Sequence, residues 1–159
     1  MHNGSESAVR NKQGGARVRV PPPVWFAAAI LIGAFLPGLR PGFLASAPPG
    51  AVLVILGVAL LGSAFGWFRR TGQDPKPWTP SPELIVRGPY RFSRNPMYVG
   101  LTLFTIGLSG LLARGWIALL APLALFAVHR TAVLREEAYL SEQFGEPYRE
   151  YMKRVRRYL

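Results

Sequence analysis

Apolar residues fall in long blocks along this chain, with polar residues confined to the joints. Between Val20 and Phe68 the only ionisable side chain is Arg40, and two stretches there, 24–39 and 49–68, read as candidate membrane spans. A helix needs about 20 mostly apolar residues to cross a hydrocarbon layer about 30 Å thick. Stretch 49–68 meets this outright. Stretch 24–39 meets it only with its flanks, and Pro37 with Pro41 imposes a kink or a broken end. A third span is expected at 95–113. A fourth, at 115–128, is short unless it continues through His129 and Arg130 into Leu134. Only Arg114 and its neighbours separate the last two, so they form an antiparallel helical hairpin. The pattern predicts an all-α fold: an integral membrane bundle of about four transmembrane helices.

The charges sharpen this picture. Lys and Arg number four before the first span, one after it, six between the second and third, one between the third and fourth, and seven from Arg130 onward. Alternation with each crossing places both termini and the basic loop between spans two and three in the cytoplasm. It also disposes of a nucleic-acid reading of the net charge of +11, because topology, not one face, divides the basic residues. Anionic lipid headgroups are the expected counter-charge. A basic arm, an apolar run and Ala45-Ser46-Ala47 imitate a secretion signal, but Pro48 after the cut disfavours it and cleavage would spoil the alternation.

Residues 1–20 are too polar to fold and are expected to be a disordered basic arm, with residues 21–159 forming a single membrane domain. The proline-rich loop after the second span is irregular, with Trp78 placed at headgroup depth. Trp25, Trp67 and Trp116 read as interfacial anchors. Past Leu134 the pattern becomes amphipathic. Gly145 is a natural helix terminator, and Pro147 suits the first turn of a new helix. In that helix Tyr148, Tyr151, Met152, Val155 and Leu159 share one side opposite five basic residues. This predicts a cytoplasmic interfacial helix, a basic anchor without chemistry.

The chain has no Cys and only two His, His2 and His129. Disulfides, thiolate nucleophiles and Cys-ligated metals are excluded, and no metal is expected. His129 reads as a helix-end donor. The informative acids are Glu136 and Glu137. On a helix their neighbours three and four residues away carry no positive charge, so they must be solvated or matched from another segment or by a bound cation. Arg130, seven residues before Glu137, lies on the same face about two turns away. The complementary half lies in Arg87 to Gly100, RGPYRFSRNPMYVG. Gly88-Pro89 makes a tight turn, and Arg87, Arg91 and Arg94 offer donors for carboxylates or phosphates. Asn95 is placed as an N-cap before Pro96, and Tyr98 brings a phenol one turn deeper.

GPYRFSRNPMYVG (88–100), followed after a helical hairpin by REEAYLSEQFGEPYREY (135–151), resembles the isoprenylcysteine carboxyl methyltransferase family in its short prokaryotic form. The wider group includes phospholipid N-methyltransferases, and the resemblance covers 82–159. It implies a membrane methyltransferase that transfers a methyl group from S-adenosylmethionine, at the cytoplasmic side, to a lipophilic acceptor of isoprenylcysteine carboxylate type, in a prokaryotic inner membrane. By position, Gly88, Pro89 and Tyr90 would shape the adenosyl side, with Arg94, Asn95, Pro96, Tyr98, Glu136 and Glu137 around the cofactor. Arg94, Tyr98, Arg130 and Glu137 would serve the reacting groups. The family usually has His where this chain has Asn95. The Arg that precedes the second Glu by about a turn in eukaryotic members is replaced by Val133 and Leu134, which leaves Arg130 and Arg135, and Arg130 shares Glu137's face. The alternatives are methylation of phospholipid or of a small molecule at N or S, and a non-enzymatic lipid-binding protein. Oligomeric state is left open.

Overall fold

The computed structural model describes residues 16, 18, 20–40, 46–72 and 81–159, which form helices and, among the described residues, no strand. Helices α1 (Pro22–Phe35), α2 (Ala47–Arg70), α3 (Pro96–Leu111) and α4 (Gly115–Val128) carry the four apolar blocks. Helix α4 continues through a π-helical turn, His129–Val133, into α5 (Leu134–Phe144), and α6 (Glu146–Arg154) follows. Two helical runs are long and apolar enough to cross a membrane, Ala47–Arg70 and Gly115–Phe144, while Pro22–Phe35 and Pro96–Leu111 are shorter apolar helices. The fourth block thus extends past His129 and Arg130, as its length requires. Trp78 and most of the 1–20 arm lie outside the described residues; Ala16 and Val18 are buried in the core.

Glycine decides how the helices meet. The most extensive helix contact is α2 against α3. A Cβ on Gly57 would lie 2.7 Å from the Gly100 carbonyl oxygen, and one on Gly107 would lie 2.5 Å from that of Gly50. Only hydrogen fits at these crossings, so the backbones approach closely and gain dispersion contact. Helix α1 rests on α4, where Gly33 abuts the Ile117 backbone nitrogen. The core beside it joins Phe26, Ala29, Ala124, Val128, Ala132 and Val133. Large apolar side chains on the outer faces, among them Leu31, Phe35, Ile55, Leu123 and Phe126, are exposed. Such an apolar exterior on apolar helices fits association with a membrane.

The polar end departs from a regular helix. In the π turn the Leu134 N–H donates to the His129 carbonyl, five residues back, and the Thr131 hydroxyl bonds the Ala127 carbonyl at 2.7 Å. Gly145 ends α5 at φ 60°, ψ −127°, a conformation open to glycine, and Pro147 sits in the first turn of α6 as expected. Two expectations need correction. Helix α6 stops at Arg154, and Val155 is extended (φ −119°, ψ 129°), so 155–159 leaves the helix. Nor is its tyrosine face free for lipid, since Tyr148 and Tyr151 are buried against the protein.

Candidate active site

The first wall is the loop before α3. Gly88–Arg91 forms a 3₁₀ turn entered at Gly88 with φ 60°. A Cβ there would fall 1.8 Å from the Trp67 indole nitrogen, so Gly88 alone lets the turn rest on the end of α2. Trp67 therefore supports the loop as well as marking a helix end. Pro89 and Tyr90 are buried, and the Tyr90 ring meets Phe68 edge-on at 5.9 Å. The Tyr151 hydroxyl donates to the Tyr90 carbonyl, tying α6 to the turn. Of the three loop arginines, only Arg94 is turned inward, its side chain 10% exposed. Arg87 and Arg91 are exposed, the latter over the Phe92 ring at 5.3 Å.

The opposite wall is the start of α5. Tyr98, one turn into α3, donates its hydroxyl to Glu136 Oε1 at 2.7 Å. Glu137 faces Arg94, with Nη1 to Oε1 at 3.3 Å, and its side chain is 13% exposed. The third wall comes from 155–159. Arg157 donates Nε to Glu137 Oε1 at 2.9 Å and Nη2 to Oε2 at 2.8 Å, a two-pronged pair. Its backbone is pinned to the motif loop: the Arg94 N–H donates to the Arg156 carbonyl at 3.0 Å, and Asn95 Nδ2 to the Arg157 carbonyl at 3.0 Å. The Ser93 hydroxyl reaches the same Arg157 carbonyl at 3.4 Å, and Tyr158 closes the strap with its hydroxyl 3.1 Å from His129 Nδ1.

Three groups mark this cluster electrostatically. Arg94 Nε and Nη1 are buried without a hydrogen-bond partner. Glu137 supplies the counter-charge to Arg94, but buried donors that make no hydrogen bond are costly and leave room for a further acceptor. Tyr148, close to Arg94 and Glu137, has its phenol pushed up to about 12, first by burial and then by the Glu137 charge, with Arg94 opposing. Arg157 is raised further above its ordinary range by its hydrogen bond to Glu137.

The structure brings together most of the residues singled out in the sequence: Arg94 with Glu137, Tyr98 with Glu136, and Gly88, Pro89, Tyr90, Asn95 and Pro96 in the adjoining wall. It separates others. Arg130 is exposed, and the cations on Glu137 are Arg94 and Arg157 instead. The seven-residue spacing assumed a plain α-helix, and the intervening π turn shifts the register. Asn95 holds the N-cap position before Pro96, yet its side chain makes no capping bond and reaches Arg157 instead. His129 bonds Tyr158 rather than its own helix end. Arg157, Tyr148 and Tyr158 went unrecognised because the basic, amphipathic pattern of 146–159 suggested a lipid anchor. Two tyrosines three residues apart on the apolar face, each with a polar tip needing a partner, were the available signal.

Among the described residues no three His, Asp or Glu gather to hold a metal ion. A 72-residue stretch is 36% identical to the protein-S-isoprenylcysteine O-methyltransferase of Schizosaccharomyces pombe, covering 45% of this chain and 30% of that relative. No solved structure matches. The phospholipid methyltransferase family matches residues 47–147, which run from the first residue of α2 through the motif loop and both glutamates to the start of α6. With well over half of its length inside that match, the chain belongs to the phospholipid methyltransferase family of enzymes.

Proposed function

We propose that the protein transfers a methyl group from S-adenosylmethionine to a lipophilic acceptor at the cytoplasmic face of a membrane, the acceptor group being a carboxylate of isoprenylcysteine type. The observation that carries this reading is Arg94, nine-tenths buried and ion-paired with Glu137, whose Nε and Nη1 nevertheless make no hydrogen bond. Four spans with both termini cytoplasmic complete the proposal. Support for them comes from the charge alternation along the sequence and from the basic motif loop lying at the same end as α5 and α6.

The donor set fits the cofactor. Its carboxylate would satisfy Arg94, its ammonium would find Glu136, and its adenosyl part would lie along Gly88, Pro89 and Tyr90. When bound, S-adenosylmethionine supplies an already activated methyl group, so alignment and exclusion of water remain the protein's tasks. Tyr98 fixes the Glu136 carboxylate by its 2.7 Å hydrogen bond. Arg157 and Arg94 hold Glu137 in one orientation. Buried Pro89, Tyr90, Tyr148 and Tyr151 keep the loop side dry. Arg94 supplies the fixed positive charge beside which an ionised acceptor can settle, while Arg130, exposed, would serve only an acceptor approaching from outside. Methylation of an amine would require a residue to take a proton. Both Glu137 oxygens are already engaged by Arg157, and this favours an acceptor that arrives ionised. Acceptor entry would be lateral, between the exposed apolar helix faces.

The test is calorimetric titration of detergent-purified protein with S-adenosylmethionine. Binding should be saturable and strongly weakened in Arg94→Ala and Glu137→Gln. Unchanged affinity in both variants would remove the assigned site, and salt-sensitive lipid association without cofactor binding would favour a purely lipid-binding role. Radiolabelled methyl donor incubated with membranes, followed by separation of lipid, protein and volatile products, identifies the acceptor.

A further inference from the structure

Glu137 has one two-pronged edge and two arginines within reach, and Arg157 has taken that edge. Its Nε and Nη2 meet Oε1 and Oε2 at 2.9 and 2.8 Å, the fork-to-fork arrangement that a carboxylate can offer to only one guanidinium at a time. Arg94, at 3.3 Å, keeps the charge attraction but forms no hydrogen bond through Nη1, and Nε is also unpartnered. The exposures order the three groups: the Arg157 side chain is 38% exposed, Glu137 13% and Arg94 10%, so Arg157 holds the glutamate from outside and leaves Arg94 facing inward. This contact is built into the fold. The Arg157 carbonyl accepts from Asn95 and Ser93, on the loop that carries Arg94, and the preceding carbonyl accepts from the Arg94 N–H itself.

Resting on the function proposed above, we infer that Arg157 is a positioning residue which, by occupying Glu137, keeps the Arg94 donors free for the carboxylate of a ligand. Without Arg157, Glu137 turns its fork onto one edge of the Arg94 guanidinium and competes there with the ligand. The carboxylate could belong to the nucleotide or to the acceptor, and the two sources can be told apart.

Calorimetry compares S-adenosylhomocysteine with 5′-methylthioadenosine, which keeps the adenosyl thioether but lacks the amino-acid carboxylate. A second arm compares a prenyl thioether acid with its methyl ester. The proteins are wild type, Arg157→Ala, Arg157→Lys, Arg94→Ala and the double variant Arg94→Ala/Arg157→Ala, each checked by thermal midpoint. Arg157→Ala should weaken the carboxylate-bearing probe roughly tenfold, the worth of a charged hydrogen bond discounted for exposure, and leave its carboxylate-free counterpart within about twofold. Arg157→Lys, a point charge without a fork, should restore only part. The double variant should be no weaker than Arg94→Ala. The arm in which the loss appears names the source. Equal loss of both probes in an arm, no loss in either arm, or additive losses in the double variant would overturn the inference while leaving the proposed function standing. If wild type binds neither nucleotide, the proposed function falls and takes this inference with it.

Discussion

Replacing Glu137 by Gln preserves the shape of the side chain and deletes its charge, leaving Arg94 buried without a counter-ion. At 3.3 Å and an effective dielectric of about 20, the lost attraction is about 5 kcal/mol. Desolvation already offsets part of it, and breaking a buried pair by removing one partner costs about 3–5 kcal/mol in practice. The low exposure of both side chains, 10% and 13%, places this pair in that regime. Arg157, more exposed, can be taken up by water and adds little. We therefore expect a loss of about 3 kcal/mol, a fall of about 6–12 °C in thermal midpoint for a chain of this size. Tryptophan fluorescence during heating in mild detergent reads the transition. The argument is specific about cause: Glu137→Gln/Arg94→Met removes the stranded charge as well and should recover more than half of the loss. A double variant as unstable as the single one, or a single variant within about 2 °C of wild type, would refute the account.

At the α2–α3 crossing, Gly57→Val should destabilise by about 1–3 kcal/mol or more, because even its Cβ meets the Gly100 carbonyl and the Phe104 nitrogen at 2.7 Å. Gly62→Ala, on the same helix with open space around it, should be neutral or slightly stabilising in the same melting assay. Alkaline unfolding should contain a contribution from Tyr148, beside those of the other buried tyrosines. Its folded phenol holds its proton up to about 12 whereas an unfolded one releases it near 10.0, so stability falls as pH rises through that window, by at most about 1.4 kcal/mol per unit. Tyr148→Phe should flatten that part of the slope, measured by thermal midpoints from pH 9 to 11.

Local patterns carried the helices and the two polar motifs. Apolar block length located four helices, Gly145 and Pro147 marked the joint between α5 and α6, and the lack of cations within four residues of Glu136 and Glu137 required partners from elsewhere. What could not be read was the identity of those partners. Arg157 lies 20 residues from Glu137, and its contact depends on the helix break at Gly145, an early helix stop at Arg154 and a strap tied to the loop. None of these leaves a periodic trace in the sequence. Arg130 was a reasonable partner on an ideal helical wheel, and one non-ideal turn removed it. The face of α6 was ambiguous for another reason: tyrosines above a basic face serve a lipid surface and a protein surface equally well.

The widened turn at His129–Val133 also separates two requirements that a uniform helix would bind together. One residue corresponds to about 100° of rotation around a helix, so a one-residue insertion changes the azimuth of everything beyond it without disturbing what precedes it. Helix α4 can therefore keep the phase that seats Ala121, Ala124 and Val128 in the bundle. The acids past the turn take the different phase that points them toward Arg94 and Tyr98. Here the angular offset between helix packing and the placing of the two acids is carried in the backbone itself.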